Sequence, residues 1–307
     1  MNKGKIYECL LLFIAFVWGA TFVIVQKVVA AIPPLTFNSI RFFLAGLAML
    51  LIYSLYEKNK PPFSWKSLLS GIILGFCLFI GYSFQTIGLL YTTPAKAGFI
   101  TGLSVVMVPL ISFLLFKRRP SGIAVLGSIL AAGGLYLLTA ANVSLFSLGN
   151  FLMLICAIGF AFHIALTDRA AKNNNVYFIT TVQIFTVSFL CGIGAISFEK
   201  WQHAFHYENI STLEVLFAFA TTAFIGTAAA FLIQTISQRH TSPTRVGIIL
   251  TMEPVFAAIT SYLCIGETLT LSGLLGCIMI FLGMMISELQ GFIKKSRKKA
   301  INEKKAV

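Results

Sequence analysis

Between Pro120 and Thr167 the chain carries no Asp, Glu, Lys or Arg, and between Ser67 and Ala95 it carries none either. A water-soluble fold does not sustain runs of that length, because its surface has to present groups that water solvates. One pass through a bilayer takes roughly 20 apolar residues, so the longer run holds two. Hydrophobic residues make up 58% of the 307 and charged residues 11%, where a soluble domain has about 25% charged. Backbone groups in hydrocarbon have to be paired within a helix or a closed barrel. The lengths of these runs predict an all-α, polytopic membrane protein.

Breaks at Pro, Gly and charged clusters predict ten spans, at about 7–29, 35–56, 67–90, 94–116, 121–140, 148–169, 176–198, 213–238, 243–264 and 270–290. The first run, Cys9 to Val25, is long for a signal-peptide core and no clear small-residue cleavage site follows it, so it is read as an uncleaved span. Nineteen Lys and Arg then fall on one side of the membrane, against Lys27, Lys96 and Lys200 on the other, with Arg41 inside a span. Seven of the nineteen lie in the C-terminal tail, and the other twelve still outnumber three. Positive charge collects on the cytoplasmic side, so both termini are expected there. The net charge of +13 is thereby a topology signal, with a basic tail beside anionic lipid, and not a nucleic-acid footprint.

The chain is also written twice. YSFQTIGLLYTTPAKAG at 82–98 returns as FLIQTISQRHTSPTRVG at 231–247, so that Gln85, Thr86, Thr92, Pro94 and Gly98 recur as Gln234, Thr235, Thr241, Pro243 and Gly247 at an offset of 149. Gly127 and Gly134 recur as Gly276 and Gly283 at the same offset. Earlier in each half the offset is 142, pairing Lys27 with Arg169, Arg41 with Gln183 and Glu57 with Glu199. Two repeats are expected, 1–144 and 145–293, followed by a basic tail at 294–307. Five spans per repeat is an odd number, so the second repeat enters the membrane from the opposite face. Such inverted repeats recur in secondary transporters, where the two halves enclose a midplane site.

At this point the chain resembles the drug/metabolite transporter superfamily, in particular the ten-span EamA-type permeases. The residues that carry the resemblance are Trp18-Gly19-Ala20-Thr21-Phe22, Arg41-Phe42, the run TTPAKAGFITGLSVVMVP at 92–109, TSPTRVGIILTMEPVFA at 241–257, Gly266-Glu267 and GLLGCIMIFLG at 273–283. The resemblance spans essentially the whole chain. It implies a bacterial inner-membrane exporter or facilitator of amino acids or related metabolites. It also implies a Glu after the Gly of the second half and often of the first, where this chain has Arg118 instead. The positive-inside rule accounts for that exchange, because Arg118 falls on the cytoplasmic side and Glu267 on the external one.

The acid of most interest is Glu253, about ten residues into the ninth span and so roughly 15 Å deep. An ionised side chain there costs on the order of 2.5–3.5 kcal/mol. Two readings stand: a site that takes up and releases a proton during transport, or a hydrogen-bonded structural Glu beside Pro254. Pro109 and Pro254 free the carbonyls of Val105 and Leu250, at positions one helical turn apart in the two repeats. Thr93-Pro94 and Ser242-Pro243 each place a capping hydroxyl ahead of a first-turn proline, followed by Lys96 and Arg245. A cation opposes the dipole there, so these bases and the free N–H groups form candidate carboxylate sites at the two mouths; contact with lipid headgroups is the other reading.

Gln85-Thr86 and Gln234-Thr235 are intramembrane polar pairs, which either bind a zwitterion or clamp helices together. Arg41 cannot deprotonate; it either meets a counter-ion or a substrate carboxylate, or snorkels to the outer interface. Trp18, Phe22 and Tyr82 are candidate cavity aromatics, and His163 a candidate relay. Glu267 precedes the tenth span, where a helix dipole favours an anion by roughly 0.3–1 kcal/mol. Gly71–Gly75 and Gly98–Gly102 have the spacing of close helix crossings.

The six cysteines form no CxxC pair and no zinc spacing, and no HExxH, GxSxG or paired intramembrane carboxylates suggest an enzyme. No cofactor or metal is expected. The expected partners are a small-molecule solute and the bilayer, with no nucleic acid and the oligomeric state open. The function read here is a secondary transporter or facilitator exporting amino acids or related small metabolites by alternating access, with proton coupling through Glu253 as one form. The alternatives are an exporter of drugs or aromatic compounds, and a flippase for a lipid-linked carrier.

Overall fold

The computed structural model describes residues 3–57, 63–117, 122–140, 147–205, 212–240, 246, 249–250 and 252–286. Regular structure among them is helical throughout. The apolar runs form α1 (Lys3–Val29), α2 (Pro34–Tyr56), α3 (Trp65–Gly88), α4 (Pro94–Phe116), α5 (Gly122–Ala140), α6 (Leu148–Asn173) and α7 (Val176–Phe198). A single 3-10 turn, Trp201–Phe205, leads on to α8 (Leu213–His240), and α9 (Glu253–Ile265) and α10 (Leu271–Ile286) follow. Helix starts are set by local chemistry. Pro34 and Pro94 open α2 and α4, and the side chains of Ser64, Ser147, Asn175 and Thr212 accept first-turn N–H groups of α3, α6, α7 and α8.

Six of the described helices are long and apolar enough to cross a membrane, or seven if the bent α4 counts as one span. The sequence predicts ten, and the count covers the described residues, which include only part of the predicted ninth span. Residues 94–108 and 110–116 of α4 meet at 41° across Pro109. Met252 donates to Ile249 O at 3.1 Å, and α9 begins at Glu253 with Pro254 in its first turn. The tail 294–307, Arg118 and the loop residue His206 lie outside the described residues.

Helices of the first half pack against helices of the second, and α2 runs antiparallel to α7. Glu57 at the end of α2 accepts from Asn175 Nδ2 at the start of α7 (2.8 Å). Glu199, past the end of α7, accepts from Leu35 N, Thr36 N and Thr36 Oγ1 at the start of α2 (2.8, 2.8 and 2.9 Å). Between these ends a Cβ on Gly46 would strike the Phe185 ring, so the glycine lets α2 and α7 close. Gly71 and Gly75 lie against Val182 and Thr186 of α7, and Gly98 and Gly102 against Ala257 and Pro254 of α9, as their spacing predicts.

The contact of α5 with α10 is reciprocal. A Cβ on Gly134 would lie 2.6 Å from Gly276 O and 2.7 Å from Ile280 N; one on Gly283 would lie 2.6 Å from Gly127 O and 2.7 Å from Ala131 N. At the offset of 149, Gly134, Gly276 and Ile280 are the mates of Gly283, Gly127 and Ala131. The same contact is thus made twice in opposite directions. Outward-facing side chains such as Phe43, Leu51, Phe189, Ile196 and Phe217 remain exposed and apolar, which suits a hydrocarbon surround.

Candidate functional site

A cavity of about 50 Å³ lies at the centre, walled by α1, α2, α3, α4, α6 and α8 and closed by Leu250 and Glu253. About 10–15 Å³ admits one water, so a few waters fit as it stands and a larger solute requires the walls to part. Its surface is mixed. Trp18, Phe22, Tyr82, Phe160 and Phe231 supply aromatic rings, while Arg41, Gln85, His163, Gln234 and Glu253 supply polar groups. Small polar groups Thr21, Thr101 and Ser104 complete the walls.

Arg41 is 2% exposed and does not snorkel. Its Nε donates to Thr227 Oγ1 (2.9 Å) and to Thr222 O (3.3 Å) on α8. Both acceptors lie in a widened stretch of α8: over Thr221–Ala229 it is a π-helix, with Ala230 N–H reaching back to Ile225 O. The same widened stretch offers Gly226 O to Trp18 Nε1 at 2.9 Å. The guanidinium carbon sits 4.9 Å from the Tyr82 ring centre and 5.4 Å from that of Phe42. Among the described residues no carboxylate forms an ion pair with Arg41. Arg41, Tyr82 and Glu253 line the same cavity.

Glu253 starts α9, with Met252 at the cap and Pro254 in the first turn. Its backbone is held close to the neighbouring helices: a Cβ on Gly19 of α1 would lie 2.8 Å from Glu253 O. His163 Nε2 lies 3.0 Å from Gln183 Oε1 and 3.3 Å from Thr167 Oγ1, and its ring packs edge-on to Phe231.

Of the sequence-predicted residues, Trp18, Arg41, Tyr82, Gln85, Gln234 and Glu253 line this cavity. Thr86 does not. It is bonded to Asn38, accepting from Nδ2 at 2.9 Å and donating to Oδ1 at 3.3 Å. Thr235 is likewise outside, donating to Phe231 O at 2.6 Å and accepting from Thr180 at 3.5 Å. Both threonines therefore fit the helix-clamp alternative. Lys96 is not a lining residue either, and the α4 start beside it is not an open anion site. Glu267 accepts from Ala95 N at 3.2 Å and is also bonded to Ser261 Oγ, so it caps α4 from across the molecule, while Thr270 Oγ1 accepts from Gly273 N at the start of α10. Thr93 Oγ1 makes no capping bond. Arg245, with Ser242 and Pro243, lies outside the described residues.

The repeat supplies a signal for wall residues that residue type alone misses. At offset 142 Trp18 maps to Phe160, Thr21 to His163 and Phe22 to Ile164; at 149 Tyr82 maps to Phe231, Gln85 to Gln234 and Ser104 to Glu253, and both members of every pair line the cavity. Four lining residues, Val25, Arg41, Leu89 and Val105, have mates, Thr167, Gln183, Gln238 and Pro254, that do not line it, and the mate of Gly102, Thr251, lies outside the described residues. The cavity is built on matching positions of both halves and extends further into the first.

Comparison with known proteins agrees with this architecture. A family model described as the EamA-like transporter family matches residues 5–140 and again residues 147–289. An uncharacterized transporter of Archaeoglobus fulgidus is 33% identical over 281 residues, covering 91% of this chain and 85% of that protein. The uncharacterized transporter YwfM of Bacillus subtilis is 24% identical over 298 residues, covering 92% of this chain and 94% of its own length. A solved crystal structure with 18% identity superposes with a TM-score of 0.66 over 92% of this chain and 96% of that one, a likeness of fold alone.

Proposed function

Because this chain belongs to the EamA-like transporter family, we propose that it is a secondary transporter or facilitator that exports amino acids or related small metabolites by alternating access. It is a multi-pass membrane protein, and its solute site is the central cavity. One observation carries the reading of the solute: one cavity is lined by a fixed cation with no carboxylate partner, Arg41, stacked on Tyr82, and by a separate acid, Glu253. An α-amino acid has a carboxylate for the first and an ammonium for the second. Charge-assisted bonds to a carboxylate are about twice as strong as neutral ones. The aromatic walls receive an apolar side chain.

The ten-span, inverted arrangement belongs to the same proposal. It is supported by the reciprocal glycine contacts of α5 and α10 and by the paired wall residues. With both termini cytoplasmic, as the Lys and Arg asymmetry favours, the extra wall residues Val25, Arg41 and Leu89 lie toward the outside. Glu253 is the site at which a proton gradient couples to movement, since it is the acid of the cavity.

The aromatic rings also favour a second reading, export of aromatic compounds without a charge requirement. Purified protein in liposomes, given a panel of labelled amino acids and neutral aromatic compounds with and without a proton gradient, separates the two. Flux that depends on both the carboxylate and the ammonium supports the amino-acid reading. Equal flux of neutral aromatic compounds overturns it.

A further inference from the structure

Three of the extra wall residues, Val25, Arg41 and Leu89, have polar mates in the other half of the pathway. Thr167, Gln183 and Gln238 are buried to 0%, 0% and 1% exposure on α6, α7 and α8. Gln183 Nε2 and both side-chain atoms of Gln238 have no hydrogen-bond partner among the described residues, and neighbouring Ser237 Oγ has none either. Buried amides without partners are rare, and each specific case needs an explanation. An apolar packing role does not provide one, since Leu89 holds the position equivalent to Gln238 with no polar atom to satisfy. The amide of Gln183 is half held, with Oε1 against His163 and Nε2 idle. His163 and Gln234 border the cavity, so this polar layer continues from it toward the opposite end of the second half.

We infer that Thr167, Gln183 and Gln238 form a second, closed chamber of the pathway, whose amides are solvated when it opens toward the opposite face. Opening it exchanges the roles of the two halves: Thr167, Gln183 and Gln238 become walls, and Val25, Arg41 and Leu89 are sealed. The two chambers differ in chemistry. The first presents the fixed cation of Arg41, whereas the second presents neutral amides, so a carboxylate solute is held by charge on one side and by hydrogen bonds on the other. This inference rests on the alternating-access reading above.

Single-cysteine substitutions in oriented proteoliposomes test it, with labelling by a membrane-impermeant thiol reagent read peptide by peptide. Leu89→Cys is expected to label from one face, and Thr167→Cys and Gln238→Cys from the other. A bulky adduct on Leu89→Cys, which holds the first chamber open, is expected to abolish labelling of the second. Ser237→Cys changes one atom and gives the same readout where the larger changes do not fold. A protein that transports solute while Thr167→Cys, Ser237→Cys and Gln238→Cys stay unlabelled from both faces overturns the chamber and leaves the transport reading standing. Two-sided labelling in a protein that moves no solute overturns the transport reading and leaves the chamber standing.

Discussion

The guanidinium of Arg41 is stacked 4.9 Å from the ring centre of Tyr82 while its Nε is tethered to Thr227 of α8. One nitrogen fixes the side chain to the second half of the molecule, and the planar cation remains at the cavity wall. A desolvated cation over an aromatic ring is worth about 2 kcal/mol, which holds Arg41 in place without a carboxylate to quench it.

Replacing that cation separates its two duties. Arg41→Lys keeps charge and loses the planar fork, and Arg41→Gln loses both. A hydrogen bond to a charged group contributes about 1.5–3 kcal/mol, so Arg41→Gln is expected to raise KM for a carboxylate solute on the order of 10- to 100-fold. The amide derivative of the same solute is expected to respond little. Concentration-dependent flux in liposomes reads both.

Glu253→Gln tests coupling. Wild-type protein is expected to accumulate solute in response to a proton gradient, with the response lost when the gradient is collapsed. The variant is expected to exchange solute across the membrane without responding to the gradient. Gradient-driven accumulation by Glu253→Gln would place coupling elsewhere.

The α5–α10 contact gives a paired stability prediction. Gly134→Val and Gly283→Val each force a side chain into the facing backbone, an overpacking cost of about 1–3 kcal/mol. The two are expected to lower the unfolding temperature by similar amounts, because the contact is reciprocal. Gly122→Ala, where a Cβ meets nothing within 4 Å, is the control and is expected to be neutral. Thermal unfolding in detergent checks all three.

Glu199 satisfies two backbone N–H groups and a hydroxyl at the start of α2. Glu199→Ala leaves that helix end uncapped, and loss of a cap costs about 0.5–2 kcal/mol. A lower unfolding temperature is expected, with solute specificity unchanged among molecules that still fold.

Much of this arrangement is legible in the sequence, and the failures have physical reasons. Gln85 and Thr86 are adjacent in one repeated motif, yet only the glutamine reaches the cavity. Successive residues on a helix point about 100° apart, so a dipeptide motif cannot send both side chains to one wall. Glu267 reads as an acid ahead of its own helix, but its partner Ala95 is 172 positions away, and no local pattern encodes that. The bond from Arg41 to α8 joins residues 186 positions apart, and no local periodicity encodes it. Phe160 and Phe231, by contrast, are reachable by carrying Trp18 and Tyr82 through the repeat offsets.

The central claim is that Arg41 and Glu253 hold the two ends of one zwitterion. The most direct measurement is uptake by proteoliposomes of a labelled amino acid beside its N-acetyl and carboxamide derivatives, each at the same concentration. The account predicts that the intact amino acid moves and that each derivative moves much more slowly, with Arg41→Gln erasing the difference between acid and carboxamide. Equal movement of all three by the wild-type protein would contradict it.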